Sequence, residues 1–333
     1  MKLFLTTLEQ AGILLLFILL GYFFRKKNVI NDSGRKVLAS LLVNLFAPCY
    51  IAMSLSQVVN ISEISKYLSL LLAGVLVTLG LIFLAIPFAK IFGKDKHHQN
   101  ILKYAFAFGN IGYFGYPLIY GVFGAVARAQ MILFCLPMSI ALYSYGYSIL
   151  TTPANEFEIR KERTLAQKLS FLYSGPMVGA FLGIAIGLLQ SGINFELPNF
   201  LTTILTKAGD CQSVPAMLIT GSVLANIPFG KLFTSVKSYF IGLVRLLVFP
   251  LIFALVFALL YLLGWQGETF SRVAFITMIS VSMPVGMNVV VYPESAGLDS
   301  TEGAKTCFIS YILALVTLPV VFTIAQNLLN VTF

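Results

Sequence analysis

Apolar runs of about 20 residues recur from one end of this 333-residue sequence to the other. A run of that length crosses the hydrocarbon core of a bilayer as a helix. Only 11% of the residues are charged, whereas a soluble globular domain contains roughly a quarter. The sequence therefore predicts an all-α polytopic membrane protein and excludes a soluble domain. The net charge of +9 does not indicate nucleic-acid binding, because the basic residues are distributed among the short connections between the apolar runs.

The apolar runs predict ten transmembrane helices, at residues 7–24, 35–56, 66–90, 100–123, 127–150, 169–190, 199–226, 236–263, 270–293 and 304–329. Lys and Arg are concentrated in alternate connections. The first loop contains Arg25, Lys26 and Lys27, for example, whereas the second contains only Lys66. The positive-inside rule places the odd-numbered loops in the cytoplasm. We therefore expect a multi-pass protein of the plasma (inner) membrane whose N- and C-termini are both extracytoplasmic.

The fourth span is the most unusual of the ten. The stretch from Ala105 to Ala125 is apolar, but its middle contains Gly109, Asn110, Gly112, Gly115 and Pro117. Glycine leaves the helical conformation easily, and proline removes a donor and disfavours the α region at the preceding Tyr116. These residues predict a helix that breaks near the middle of the membrane, which is typical of a transporter's binding site. A kinked helix that serves close packing is the alternative.

Four prolines indicate an internal repeat. Pro48 and Pro117 are 69 residues apart, and so are Pro215 and Pro284. The common offset of 167 residues relates span two to span seven and span four to span nine. We interpret residues 1–150 and 169–333 as two five-helix repeats, joined by a cytoplasmic connecting loop at 151–168. Because five is odd, the second repeat is inverted, and the broken helices of spans four and nine are expected to cross at the centre.

Polar side chains within the spans are the candidates for function. Asp210 is the acid that lies well inside a span, where a charged group must face protein or water. It is a candidate for coupling to H⁺ or Na⁺, and an N-terminal helix cap is the alternative. Arg245 in span eight is expected to extend to the cytoplasmic surface, with a substrate contact as the alternative. Asn110, Asn288 and Gln212, together with opened helix N-termini, can hold a carboxylate.

Patterns typical of enzymes and cofactor sites are absent from the sequence. It contains no nucleophile–base motif, no metal-ligand cluster and no phosphate loop. We therefore expect no enzyme activity and no cofactor. A membrane-embedded enzyme or receptor that uses the same polar cavity around Asp210 is the alternative, and an enzyme would require a second catalytic group beside this acid.

Four motifs carry a family resemblance: Asn44-x-x-x-Pro48, Gly109-Asn110-x-Gly112-x-x-Gly115-x-Pro117, Pro215-Ala-Met-Leu-Ile-Thr-Gly221 and Met283-Pro284-Val-Gly-Met-Asn288. With them the chain resembles the auxin efflux carrier family over essentially its whole length, and its short-loop prokaryotic members rather than the plant PIN proteins. The resemblance implies a fold like that of the bile-acid sodium symporters and NhaA. It also implies scaffold and transport domains that are each drawn from both repeats and that move like an elevator.

The resemblance further implies transport of organic anions such as carboxylates, commonly by a dimer, and some prokaryotic members are labelled malonate carriers. Asn110 matches the asparagine that contacts the substrate carboxylate in the plant proteins, and Pro117 and Pro284 match their crossover motifs. The long cytoplasmic loop of the plant proteins is absent, and their span-two lysine has no evident match. Span nine matches only in outline, which puts Asn288 in doubt.

We therefore expect a secondary transporter of a small organic anion whose other partner is the lipid bilayer. The expected substrate-binding residues are Asn110, Gly112, Asn288, Asn44 and Gln212. The expected crossover and hinge residues are Gly109, Gly115, Pro117, Pro284, Gly286, Pro48 and Pro215.

Overall fold

Helices make up nearly all of the regular structure in the part of the chain that the computed structural model describes. That part comprises residues 2–57, 59–60, 64–151, 170–173, 175–295 and 298–329. Within it, the pairing of extended backbone is confined to one isolated antiparallel bridge between Gly109 and Val285. The predicted connecting loop at 151–168 lies outside the described residues except for Thr151.

The first half of the described chain contains α1 (Lys2–Lys26), α2 (Asp32–Leu41), α3 (Ala47–Ser56), α4 (Ile64–Phe92), α5 (Lys96–Ala107), α6 (Tyr116–Phe134), α7 (Leu136–Ala141) and α8 (Tyr147–Thr151). Three single π-helical turns belong to the same half. They join α2 to α3, precede α6 and join α7 to α8, at Leu42–Phe46, Ile111–Gly115 and Leu142–Gly146.

The second half begins with a 3₁₀ turn at Ser170–Tyr173. It then contains α9 (Gly175–Ile193), α10 (Asn199–Asp210), α11 (Ser213–Leu224), α12 (Phe229–Leu232), α13 (Val236–Leu243), α14 (Phe249–Leu262), α15 (Glu268–Val281), α16 (Asn288–Ser295) and α17 (Thr301–Leu329). A π-helical turn at Val244–Val248 joins α13 to α14.

Polar caps fix the starts of several helices. The side chain of Asn31 accepts a hydrogen bond from the Gly34 backbone N–H at 2.7 Å, and that of Asp95 accepts one from His98 at 2.9 Å. Each cap satisfies an amide that the first helical turn leaves without a partner. Since α2 and α5 both begin in predicted cytoplasmic loops, these caps mark where the polar connections end and the apolar helices begin.

Six continuous helical stretches of the described residues are long and apolar enough to cross a membrane, at 3–26, 32–56, 68–92, 111–134, 236–262 and 301–329. The stretch at 111–134 is not one straight helix, because Gly124 has a φ of 84° and interrupts it. Several of the predicted spans correspond instead to pairs of shorter helices. Span four is interrupted between α5 and the turn before α6, span seven between α10 and α11, and span nine between α15 and α16.

The break in span four lies at Phe108–Asn110, earlier than the proline implies. Phe108 is extended, with φ −113° and ψ 115°. The predicted displacement of Tyr116 from the α region is wrong, because this residue is helical with φ −61° and ψ −46°. Pro117 lies two residues after the π-helical turn at Ile111–Gly115, and the helix continues through it. Pro117 therefore lies within the second half of the helix, after the break.

The break in span nine lies between α15 and α16 and contains Pro284. Its bridge to the first break joins Gly109 to Val285. The proline spacing relates spans four and nine, and both spans are broken in the structure.

Two helix pairs pack at unusually short range. Helix α1 packs on α11, and α9 packs on α3. A Cβ atom at Gly221 would overlap the carbonyl of Ile18 across the first pair. Across the second pair, a Cβ atom at Gly183 would lie 2.6 Å from the carbonyl oxygen of Ala52. Small residues allow membrane helices to approach this closely, so these glycines hold the two pairs together.

The first prediction concerns this close packing. Gly221→Ala should lower the free energy of unfolding by about 1–3 kcal/mol, because the added methyl group forces α1 and α11 apart. Gly12→Ala on α1 is the matched control, since a Cβ atom there meets nothing within 4 Å. Thermal unfolding of the two variants in the same detergent measures the difference. Equal melting temperatures would contradict the packing described for this pair.

Candidate functional site

The two broken helices meet at their breaks through backbone hydrogen bonds. The N–H of Asn110 donates to the carbonyl of Pro284 at 2.7 Å, and the N–H of Gly286 donates to the carbonyl of Phe108 at 3.0 Å. Each bond satisfies groups that a continuous helix would have satisfied internally. In an apolar environment an unpaired backbone group costs several kcal/mol, so each break provides the partners that the other requires.

Arg245 stabilises the crossover from the π-helical turn that joins α13 to α14. Its side chain is completely buried. Nε donates to the carbonyl of Met283 at 3.0 Å, and Nη1 donates to the carbonyl of Phe106. These carbonyls belong to the C-terminal ends of α5 and of the segment that follows α15. Because helix C-termini carry partial negative charge, one guanidinium compensates two of them.

The prediction that Arg245 extends to the cytoplasmic surface is wrong. The crossover offers this side chain internal carbonyl partners, so it does not need to reach water. The position of the Arg245 side chain also explains why residue 109 is a glycine, because a Cβ atom there would overlap Nη2. Among the described residues, Nη2 has no hydrogen-bond partner.

Helix α17 supports the crossover from another side. The hydroxyl of Ser310 accepts a hydrogen bond from the N–H of Val285 at 3.1 Å. The hydroxyl of Tyr311 accepts one from Nδ2 of Asn110. Sequence reasoning singled out neither residue. The available signal is two adjacent hydroxyl side chains in a long apolar helix, which is weak without knowledge of what they face.

The other two helix ends at the crossover are N-termini, and both open onto one cavity. Asn110 caps the turn at Ile111–Gly115, where its Oδ1 accepts from the N–H of Tyr113 at 3.2 Å. Asn288 is the first residue of α16, and its Nδ2 donates to the hydroxyl of Tyr292 at 3.1 Å. The exposed amides and partial positive charge of a helix N-terminus favour an anion.

This central cavity has a volume of about 70 Å³. Its lining includes six of the residues that the sequence predicts for the site or its hinges, namely Gly109, Asn110, Gly112, Gln212, Gly286 and Asn288. The side chains that line it are uncharged. The cavity is small beside the roughly 300–1,000 Å³ of typical ligand sites, so a bound organic anion would require it to widen.

Gln212 reaches the central cavity from the interruption between α10 and α11. It is 3% exposed. Its Nε2 donates to the carbonyl of Gly112 at 3.0 Å. In the described part of the chain, its Oε1 is buried without a hydrogen-bond partner. The side chain thereby connects the interruption of span seven to the turn that follows Asn110.

The chain is similar to known membrane proteins over nearly its whole length. A family model described as membrane transport protein matches residues 6–322. The chain is 25% identical over 320 residues to an uncharacterized transporter of Methanothermobacter thermautotrophicus, covering 95% of this chain and 97% of that protein. It is 24% identical over 314 residues to an uncharacterized transporter of Methanocaldococcus jannaschii, covering 93% of this chain and 96% of that protein. The chain belongs to the membrane transport protein family.

This assignment makes the molecule a multi-pass membrane transporter and not an enzyme. The predicted membership of the auxin efflux carrier family is confirmed. The alternative of a membrane-embedded enzyme around Asp210 is therefore not retained. In the described residues, no group of three or more His, Cys, Asp or Glu side chains is placed to hold a metal ion.

Asn44 does not belong to the central cavity of the transporter. The prediction that it is buried is wrong, because its side chain is exposed. Its Nδ2 donates to the carbonyl of Ser40 at 3.0 Å, one turn earlier in the same helix. This local partner satisfies the amide, so no buried partner is required. Pro48, the other residue of that motif, lies in the first turn of α3 and packs against Gly179 of α9.

Asp210 also lies away from the central cavity. It is the last residue of α10 and is exposed. The interruption of span seven after Asp210 places this acid on the wall of a second cavity. The cap position of α11 belongs to Gln212, whose side chain makes no capping bond.

Pro215 is the third residue of α11, inside the helix.

Gly115 contributes to packing. A Cβ atom there would lie 3.0 Å from Cε of Met131 and 3.2 Å from Sδ of Met283. This position therefore keeps the turn before α6 close to the break of span nine, and it does not line the central cavity.

The second prediction concerns Arg245. Arg245→Met should lower the free energy of unfolding by about 2–6 kcal/mol. Two buried carbonyls each lose their hydrogen-bond partner, and each unsatisfied carbonyl costs about 1–3 kcal/mol. Arg272→Gln is the matched control, since the pair between Arg272 and Glu268 lies at the exposed start of α15. Thermal unfolding in detergent measures both variants. A melting temperature of Arg245→Met equal to that of the control would show that the crossover does not depend on this guanidinium.

Proposed function

We propose that the protein is a secondary transporter of a small organic anion, a carboxylate, which binds in the central cavity between the breaks of spans four and nine. The observation that carries this proposal is the arrangement of the four helix ends at the crossover. Two N-termini open onto the cavity, whereas Arg245 binds the carbonyls of the two C-terminal ends. The cavity therefore faces the positive ends of two helix dipoles and few negative groups.

The side chains of the central cavity suit a carboxylate. Asn110 and Asn288 begin the two half-helices, and amide N–H groups donate to carboxylate oxygens. Gly112 leaves the backbone open beside Asn110, since a Cβ atom there meets nothing within 4 Å. A hydrogen bond from a neutral donor adds only a modest amount to the binding free energy, so the anion can be released as well as bound.

We further propose ten spans arranged as an inverted repeat of two five-helix units, with both termini outside the cytoplasm. The exchange of packing partners supports this arrangement. Helix α1 of the first unit packs on α11 of the second, and α9 of the second packs on α3 of the first. Two units related by a two-fold axis would exchange their first two spans in this reciprocal way.

The proposed mechanism is alternating access by an elevator-type motion. Spans one, two, six and seven would form a scaffold, and the remaining spans, including both broken helices, would carry the anion across. The small volume of the central cavity is consistent with a state in which neither side is open to an organic anion. A homodimer, which the resemblance implies, would anchor the scaffold in the bilayer.

The third prediction tests the binding site. Asn110→Ala should reduce carboxylate flux in proteoliposomes by roughly tenfold to 150-fold, which corresponds to the loss of a hydrogen bond to a charged group. The substrate is first sought by thermal shift of the purified protein with a panel of small carboxylates and indole acids, with and without sodium. Asn44→Ala is the matched control, because the Asn44 amide bonds only within its own helix. Equal flux by the two variants would remove Asn110 from the site.

The fourth prediction concerns coupling. Asp210 lies on the wall of the cavity that adjoins Gln212, where it can exchange a proton or pair with a cation. Asp210→Asn should abolish the dependence of flux on pH or on sodium, because the amide can do neither. Flux is measured across a pH series and a sodium series. If the variant retains the ion dependence of the unmodified protein, Asp210 is not the coupling group.

A further inference from the structure

A second cavity adjoins the central one and has a volume of about 330 Å³. It lies between α1, α3, α6 and the interruption of span seven. Its polar lining residues are Gln10, Tyr50, Tyr120, Arg128, Asp210, Gln212 and Ser213. We call it the Arg128 cavity. Its volume falls within the roughly 300–1,000 Å³ of typical small-molecule sites.

Arg128 is the buried cation of this cavity. It is only 8% exposed. Its guanidinium carbon lies 4.6 Å from the ring centroid of Tyr50 and 4.4 Å from that of Tyr120. Among the described residues, Nε has no hydrogen-bond partner and no carboxylate forms a salt bridge with this side chain. A buried charge that forms no salt bridge is costly, which favours an anion at this position.

The aromatic contacts orient the guanidinium. Stacking on tyrosine rings satisfies the faces of the planar group but none of its N–H donors. The donors at its edge are arranged as a fork that matches the two oxygens of a carboxylate. Tyr50 and Tyr120 therefore hold Arg128 in place and leave its fork for an external acceptor.

Gln212 connects the two cavities. Its side chain lines both of them, and its Oε1 has no partner among the described residues. An anion that leaves the Arg128 cavity past Gln212 arrives directly at the amides around Asn110. Asp210 lines the Arg128 cavity as well, but among the described residues no salt bridge joins its carboxylate to Arg128.

We propose that the Arg128 cavity is a second carboxylate-binding site, through which the anion passes between the non-cytoplasmic face and the central cavity. Arg128 supplies the charge, and Gln212 separates the two sites. This inference rests on the proposed function, since it assigns the path of the same anion. It also rests on the predicted topology, in which the connection that contains Arg128 lies outside the cytoplasm.

The fifth prediction is a sidedness experiment with malonate and indole-3-acetate as probes. In Arg128→Gln the KM should rise at least about tenfold for a probe presented at the non-cytoplasmic face, because a charge-assisted bond is lost there. The KM for a probe presented at the cytoplasmic face should stay unchanged. Radiolabelled uptake into right-side-out and inside-out membrane vesicles separates the two values. Arg128→Lys retains the charge without the fork and should give an intermediate KM.

Arg272→Gln is the matched control, since it removes a positive charge from the same predicted face without contacting the cavity. Binding of both probes to the purified variants by thermal shift accompanies the flux measurements. The thermal-shift measurement also shows whether each variant is folded. If Arg128→Gln does not fold, the KM of Arg128→Lys is compared instead.

The outcomes separate this inference from the proposed function. If Asn110→Ala loses flux while Arg128→Gln keeps the original KM from both faces, the Arg128 site is overturned and the central site stands. If Arg128→Gln weakens binding of a probe that the unmodified protein binds but does not move, the Arg128 site stands and the transport proposal fails. A protein that binds neither probe overturns both.

Discussion

The arrangement of the whole structure depends on one interaction, the binding of backbone carbonyls from two broken helices by the buried guanidinium of Arg245. Two helices that break inside an apolar molecule create four ends, two of which are negative. These ends repel each other and also lack hydrogen-bond partners. A single planar cation that donates to both ends reduces their repulsion and also supplies hydrogen bonds. A neutral side chain could supply hydrogen bonds but no compensating charge.

The backbone bridge between the breaks completes this solution. Asn110 and Gly286 donate across it, so the freed amides and carbonyls nearest the crossing point satisfy each other. The positive helix ends are then the polar groups still available, and they open onto the central cavity. The electrostatic character of the cavity therefore follows from how the crossover is stabilised and needs no charged side chain in its lining.

The sequence predicts the helical architecture well because length, apolarity and basic loops are local properties. Gly109 and Asn110 likewise predict a break in the helix. Four of the predicted binding residues do line one cavity, namely Asn110, Gly112, Gln212 and Asn288. The failures concern partners that only the tertiary structure defines. A proline inside a helical stretch, such as Pro117, is indistinguishable in sequence from one inside a break, such as Pro284. Arg245 was beyond prediction because its partners are carbonyls that the breaks themselves expose.

The two arginines illustrate how burial and bonding together determine what a cation can do. Arg245 is fully buried, but two of its donors are already committed to carbonyls, so it acts mainly on the backbone. Arg128 is nearly as buried, yet it lies over two ring faces, and its Nε has no hydrogen-bond partner among the described residues. In the proposed path an anion moves from this full charge to a cavity lined by neutral donors. Gln212 stands between them with Nε2 bound to Gly112, so breaking that hydrogen bond is part of the barrier between the two sites.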